Sequence, residues 1–229
     1  MIERRSSTSP REGTHIEAAT EIGKWAEWVE QSRLLYGQWM NDVKRSGFLK
    51  SPTATAVATS PRGVKHVCEE LELDRLGDGD MIVEVGSGPG PIVQGVLRQV
   101  RAEIIYVAIE LNPSFATHLQ KTVHDSRLQV VNESAANLSE IAHRYGNKAD
   151  RVISSMPFST DQRLTQSILE QIKAILSNDG SFVLANFTLE SIMRVINFFG
   201  RKNCRTGWAM NIPPLLTVHA KKPKENGRY

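Results

Sequence analysis

Long apolar runs are missing from this 229-residue chain. No stretch approaches the ~20 consecutive apolar residues that a membrane-spanning helix needs, and the N-terminus carries no signal-peptide core. The expectation is a cytoplasmic protein whose membrane contacts, if it makes any, are peripheral. Cysteine is nearly absent: Cys68 and Cys204 are the two, far apart and without the paired spacing of a metal site. They are read as reduced, buried thiols, which excludes a disulfide scaffold and leaves no metal centre to expect. Charge of one sign is also scarce. A net +3 from 28 basic and 25 acidic residues is modest for a protein that tracks nucleic-acid phosphates, so RNA is the weaker partner.

The composition, 40% hydrophobic, suits one α/β domain of ordinary size plus an extension. Residues 1–15 are polar, mixed in charge and almost free of apolar anchors, the signature of a disordered tail. In the next segment, 16–50, Ile22, Trp25, Val29, Ser32, Tyr36, Trp39 and Val43 recur at steps of three and four, with Trp28 and Leu35 widening the stripe. That spacing predicts a helix with one apolar face, ended by Gly47. From 51 to 229 extends the main domain, opening on a Ser/Thr/Ala/Pro loop and a helix over 61–75 led by Pro61.

Beyond it, apolar segments of two periods alternate. Strands are predicted near 81–85, 104–110, 127–131, 150–155 and 181–187, with helices at 91–100, 113–124, 135–145, 161–176 and 189–199. Asn178-Asp-Gly180 supplies the turn before the fifth strand. Cys204–Met210 and Leu215–Ala220 follow, joined by Asn211-Ile-Pro-Pro214 with no helix between, which reads as an antiparallel hairpin. The βα succession implies a mostly parallel, seven-stranded sheet covered on both faces and closed by that hairpin.

The most informative stretch is Met81-Ile-Val-Glu-Val-Gly-Ser-Gly-Pro-Gly90, an apolar strand that ends in a carboxylate and breaks into three glycines at alternate positions. Side chains at Gly86, Gly88 or Gly90 would keep a ligand from the backbone amides or forbid positive φ. The dinucleotide fingerprint wants its third glycine one place later, where Pro91 stands. Glu84 offers an acceptor suited to an ammonium group. Ile104–Ile109 then ends in Glu110, a carboxylate placed to take both ribose hydroxyls, followed by Leu111 and Asn112 bordering ribose or adenine. Together these resemble motif I, with its Ser87, and the ribose acid of class I S-adenosylmethionine-dependent methyltransferases, a Rossmann-like fold. The resemblance implies S-adenosylmethionine as cofactor and S-adenosylhomocysteine as product. It also implies an acidic contact to the adenine amino group after the third strand, where the register leaves Glu133 or Ser134, beside Ala135; a polar cap on the following helix explains the same residues equally well.

Ile153-Ser-Ser-Met-Pro-Phe158 resembles motif IV of amino-directed methyltransferases, the Asn-Pro-Pro-Tyr or Asn-Leu-Pro-Tyr of adenine N-methylating enzymes, with Ser155 for Asn and Phe158 for Tyr. The resemblance implies that Ser155, Met156, Pro157 and Phe158 line the amine site, the carbonyls and hydroxyl orienting the lone pair and the ring face favouring a cationic product. No general base stands out; His66 and Glu133 are the possibilities. The loop from Gly47 to Pro61, the Ser-Ser-Met-Pro of motif IV and the Asn-Ile-Pro-Pro of the hairpin together are similar to bacterial phospholipid N-methyltransferases, over about residues 39–221. That family, related to the rRNA adenine dimethylases, methylates phosphatidylethanolamine stepwise toward phosphatidylcholine.

Two further features agree with a lipid surface. Trp25, Trp28 and Trp39 gather on the first helix, with Tyr36, and Lys44, Arg45, Lys50, Arg62 and Lys65 fall between Val43 and Cys68 without an acidic residue. Against them, Glu21, Glu27, Glu30 and Asp42 offset the helix charge, and an aromatic stripe serves equally as a lid over the cofactor pocket. The competing readings are methylation of a nucleobase or small-molecule amine, and a binding protein that transfers nothing. An rRNA dimethylase is expected to continue into a helical domain, whereas eight residues follow Lys221.

Overall fold

The computed structural model describes residues 59–156, 158, 161–211 and 213–223. The predicted tail, the first helix with Trp25, Trp28, Tyr36, Trp39, Lys44, Arg45 and Lys50, the loop up to Val57 and Ala58, and Pro157 lie outside the described residues.

Proline and capping side chains set where the helices begin. Helix α1 (Pro61–Glu70), α2 (Pro91–Gln99) and α3 (Pro113–Thr122) each place proline at the first position, where no amide partner is needed. Ser60, Asn112, Asp161 and Thr188 cap α1, α3, α5 (Gln162–Ile175) and α6 (Leu189–Phe199) by accepting from an amide two or three residues on. A single turn of 3₁₀ helix, Ala135–Asn137, leads into α4 (Leu138–Tyr145).

Between them run β1 (Met81–Val85), β2 (Ile105–Ile109), β3 (Leu128–Val131), β4 (Ala149–Ser154), β5 (Leu176–Asn186), β6 (Cys204–Ala209) and β7 (Leu215–Lys221). They form one seven-stranded sheet in the order β3-β2-β1-β4-β5-β7-β6, parallel through β5 and antiparallel on both sides of β7. The doubly covered, mostly parallel sheet with its terminal hairpin is the one expected from the sequence. All five residues of β1 are buried, as a central parallel strand requires. Ile82, Tyr106, Ala108, Ile153 and Val183 pack under α1, α2 and α3; Val83, Val107, Val152, Phe182 and Leu184 pack under α4, α5 and α6.

Two boundaries differ from the sequence expectation by five residues. The helix expected over 61–75 stops at Glu70; Glu72 turns left-handed at φ 51°, and Leu73–Arg75 make a separate 3₁₀ turn. The break is held by ions, Glu72 pairing with Arg75 at 2.8 Å and with Arg205 at 3.0 Å. Strand β5 begins at Leu176, five residues before the expected start. Its ladder to β4 jumps from Ala149↔Leu176 to Arg151↔Ser181, so Asn178-Asp-Gly180, expected as a turn before the strand, is an irregularity within it.

Arg127 fixes the outer strands to α2. Its guanidinium donates to the carbonyls of Leu97 at 2.7 Å, Val100 at 2.9 Å and Ala102 at 3.3 Å, while Asp125 accepts two further bonds. The ion pair lowers the Asp125 pKa and raises that of Arg127. Because the group satisfies the carboxyl end of α2, Arg127→Ala is expected to lower unfolding free energy by about 2–3 kcal/mol. A shifted urea midpoint at unchanged slope would register it, with cofactor affinity intact.

Candidate functional site

In an open α/β sheet the crevice forms where successive connections leave in opposite directions, outside the carboxyl ends of the strands. Here that point lies between β1, which leads outward to β2 and β3, and β4, which leads to β5. The glycine turn and the Ser155 segment therefore flank one crevice. They are bonded across it, Ser155 Oγ donating to the Gly86 carbonyl at 2.9 Å.

The turn is tight: Gly86, Gly88 and Gly90 have φ of +77°, +55° and +86°. A Cβ on Gly86 would meet Met156 Cγ at 2.6 Å and one on Gly90 would meet Leu119 Cδ1 at 2.3 Å, whereas one on Gly88 would meet nothing within 4 Å. Two glycines admit neighbouring chain and the middle one faces open space. Ser87 is buried with its Oγ unbonded among the described residues. Gly90 caps α2 without a side chain, unlike Ser60, Asn112, Asp161 and Thr188 at α1, α3, α5 and α6. The N-terminal amides of α2 thus adjoin the crevice.

The two carboxylates are held differently. Glu110 accepts from the Gly88 amide at 2.7 Å and the Asn112 amide at 2.8 Å, tying the end of β2 to the turn. Glu84 is fully buried beneath the turn, takes the Tyr106 hydroxyl on Oε2 at 2.5 Å, and leaves Oε1 without a partner among the described residues. Burial pushes its pKa up to about 8, with the Tyr106 bond opposing and the Glu110 charge adding. An orphaned buried acceptor and an open glycine fit a ligand with a cationic group at the turn.

Leu111 is 68% exposed at the rim. Asn112 caps α3, its side chain accepting from Ser114 at 2.9 Å. Ser134 caps the 3₁₀ turn through the Ala136 amide at 3.2 Å, Ala135 is buried, and Glu133 is paired with Arg144 at 2.7 Å. Ser155 and Met156 are half-buried at the crevice. Phe158 requires a correction: its ring is 1% exposed and stacked on Phe182 with centroids 6.3 Å apart, so it presents no face to an amine. Without a hydroxyl to keep wet, the ring packs into the core. His66 lies against the hairpin, Nε2 at 3.0 Å from Thr217 Oγ1.

Sequence reasoning missed the residues that brace the site. Asn186, at the last position of β5, donates to the Met156 carbonyl at 2.7 Å and caps the next turn through its oxygen. Asn132 donates to the carbonyls of Glu110 at 2.7 Å and Leu111 at 3.1 Å. Each is a polar residue ending an apolar strand, the one signal that could have found them. Two of the sequence motifs also meet: Ser60 N donates to Asn211 Oδ1 at 2.8 Å, joining the loop before α1 to the hairpin turn.

No family model matches the chain. It is 28% identical over 105 residues to an ornithine lipid N-methyltransferase of Singulisphaera acidiphila, covering 44% of this chain and 55% of that one. To ribosomal RNA small subunit methyltransferase A of Acidithiobacillus ferrooxidans it is 26% identical over 128 residues, covering 56% and 45%. The chain thus spans about half the length of the curated relatives it matches. Among solved structures, precorrin-6y C5,15-methyltransferase of Geobacter metallireducens superposes with a TM-score of 0.59 at 15% identity, over 75% of this chain and 93% of that one. A Streptococcus mutans protein solved in complex with SAH superposes at 0.54 with 10% identity, over 69% and 97%. The fold is that of class I S-adenosylmethionine-dependent methyltransferases.

Proposed function

We propose that this chain is an S-adenosylmethionine-dependent N-methyltransferase acting on the amino head group of a phospholipid, phosphatidylethanolamine toward phosphatidylcholine. The observation that carries the reading is the bonded crevice, in which the glycine turn and the Ser155 segment meet at the point where the strand order reverses. The lipid arm is supported by the lipid N-methyltransferase among the relatives.

The residues fit the chemistry. Bound cofactor would supply an electrophilic methyl on a sulfonium centre, so the protein's task is alignment of a neutral amine. Ser155 Oγ donates its own proton to Gly86 and is left with lone pairs that can accept from the amine N–H. The Met156 carbonyl, fixed by Asn186, is a second acceptor with one lone pair in use. Two acceptors on the amine hydrogens turn its lone pair toward the crevice. Gly88 leaves the space above the turn clear, and Glu84 beneath it compensates positive charge.

A second reading, methylation of a nucleobase in RNA, is favoured by the match to the ribosomal RNA enzyme. Radiolabelled methyl transfer to phosphatidylethanolamine vesicles, with structured RNA as competing substrate, separates the two. The expected result is label in mono-, di- or trimethylated lipid and none in RNA. Label confined to RNA, or no label in lipid despite cofactor binding, would overturn the lipid reading.

A further inference from the structure

The two ends of the sheet differ in chemistry. At the amino ends of β1 and β4, a cavity of about 200 Å³ is lined almost wholly by charged groups, Glu72, Arg75, Asp80, Asp150, Arg151 and Lys221 among them. At the carboxyl ends stand all the large hydrophobic side chains that are exposed among the described residues: Leu111, Leu164, Leu189, Met193, Trp208 and Met210. Leu111 follows β2, Leu164 lies in the first turn of α5 after β4, and Leu189 and Met193 open α6 after β5. Strand β6 runs in the direction of β5, and Trp208 pairs with Leu216, which pairs with Asn186 at the end of β5. Trp208 and Met210 therefore complete the same rim.

Scattered apolar residues on a soluble surface need no explanation; a set gathered from five separate elements at one end of the sheet, the end where the crevice opens, does. We propose that this rim is the surface by which the protein docks on a bilayer of amino phospholipid, with the crevice facing the head groups. The inference rests on the lipid reading above. Three observations select a bilayer as occupant. The rim lies at the end of the sheet where the crevice opens, the end that a head group must reach while its acyl chains stay in the membrane. Tryptophan and methionine at its edge suit an interface with one apolar and one wet side. Helix α1 begins at this rim, where Ser60 bonds Asn211 and Arg62 contacts the Met210 sulfur at 3.0 Å. A guanidinium beside an apolar rim suits anionic head groups.

The test uses the full chain and two variants, Trp208→Ser alone and Leu189→Ser with Met193→Ser, none of which touches the crevice bonds. Sedimentation with vesicles of phosphatidylethanolamine and phosphatidylglycerol is expected to show at least a tenfold loss of binding in each variant, with methylation of vesicle lipid falling in parallel. Methylation of monomeric dihexanoyl phosphatidylethanolamine is expected to stay within twofold, as is cofactor affinity, which also verifies folding. Wild-type vesicle affinity in both variants, or a wild-type chain that does not bind vesicles, would overturn the rim. So would a dimer that the variants convert to monomer without change in vesicle binding, which would make the rim an interface between copies. A wild-type chain that binds vesicles through the rim yet methylates neither vesicle nor monomeric lipid would sink the lipid reading while leaving the docking surface standing.

Discussion

Glu84→Gln is expected to make the protein more stable and a poorer binder of S-adenosylmethionine, with both effects depending on pH. The carboxyl is buried under the glycine turn and its pKa is pushed up to about 8, against 4.5 for an ordinary glutamate. A carboxyl raised in this way is protonated in the folded state over a range where the unfolded chain has already lost the proton. Stability therefore falls as pH rises from about 4.5, and the penalty is complete above about 8. Glutamine carries no such penalty. Its extra N–H lacks an acceptor at every pH, so the informative quantity is the change in the variant's advantage: it is expected to grow by on the order of 2 kcal/mol between pH 5.5 and 8. Binding has the opposite sign. A ligand that brings positive charge to the turn favours ionised Glu84, so complex formation releases a proton below pH 8. Wild-type affinity is expected to rise, by less than tenfold per pH unit, from pH 6 to 7.5. In Glu84→Gln it is expected to be flat and at least tenfold weaker at pH 7.5. Calorimetric titrations in two buffers of different ionisation enthalpy check this directly; equal slopes for the two proteins would place the ligand charge away from Glu84.

That coupling depends on Tyr106, which the sequence did not single out. The register Glu84↔Ala108 puts Tyr106 two residues below on the same face of the sheet, within reach of Glu84 Oε2. The pattern generalises. The glycine turn, Glu84, Glu110 and Ser155 could be read from the chain because each sits in a short local motif at the end of an apolar strand. The groups that orient them, Tyr106, Asn132 and Asn186, come from other strands, and only pairing across the sheet brings them in.

The fold was legible for the same local reason. Pro61, Pro91 and Pro113, with Asp161 and Thr188, mark helix starts in sequence, and these elements begin within a residue of expectation. The misread boundary at Glu72 has no glycine to announce it and is held by Arg205, 133 positions away. Phe158 was misplaced because the motif fixes a residue's position in the chain but not which way its ring packs. The ring's partner, Phe182, belongs to the next strand.

Replacing Gly88 and Gly90 by alanine, one at a time, is expected to split binding from folding. Both have positive φ, which costs an alanine about 1 kcal/mol. They part company in what the added methyl meets. At Gly90 the new carbon would lie 2.3 Å from Leu119 Cδ1, and Leu119 is itself fully buried, with no exposed side toward which to swing. Either the turn opens or α3 moves, at a total cost of about 3 kcal/mol or more. The variant is expected to lose a large share of its stability, and cofactor binding with it. The steric part of that loss should shrink when Leu119→Ala is present, because the colliding methyl is then gone; a double-mutant cycle in urea reads the coupling. At Gly88 the methyl would meet nothing, and the amide that holds Glu110 at 2.7 Å is retained. Unfolding should change by no more than about 1 kcal/mol, while affinity for S-adenosylmethionine falls on the order of a hundredfold, because the methyl stands in the space a ligand must enter to approach the turn. A Gly88→Ala protein that binds the cofactor normally would mean that the open side of the turn is not the ligand's side.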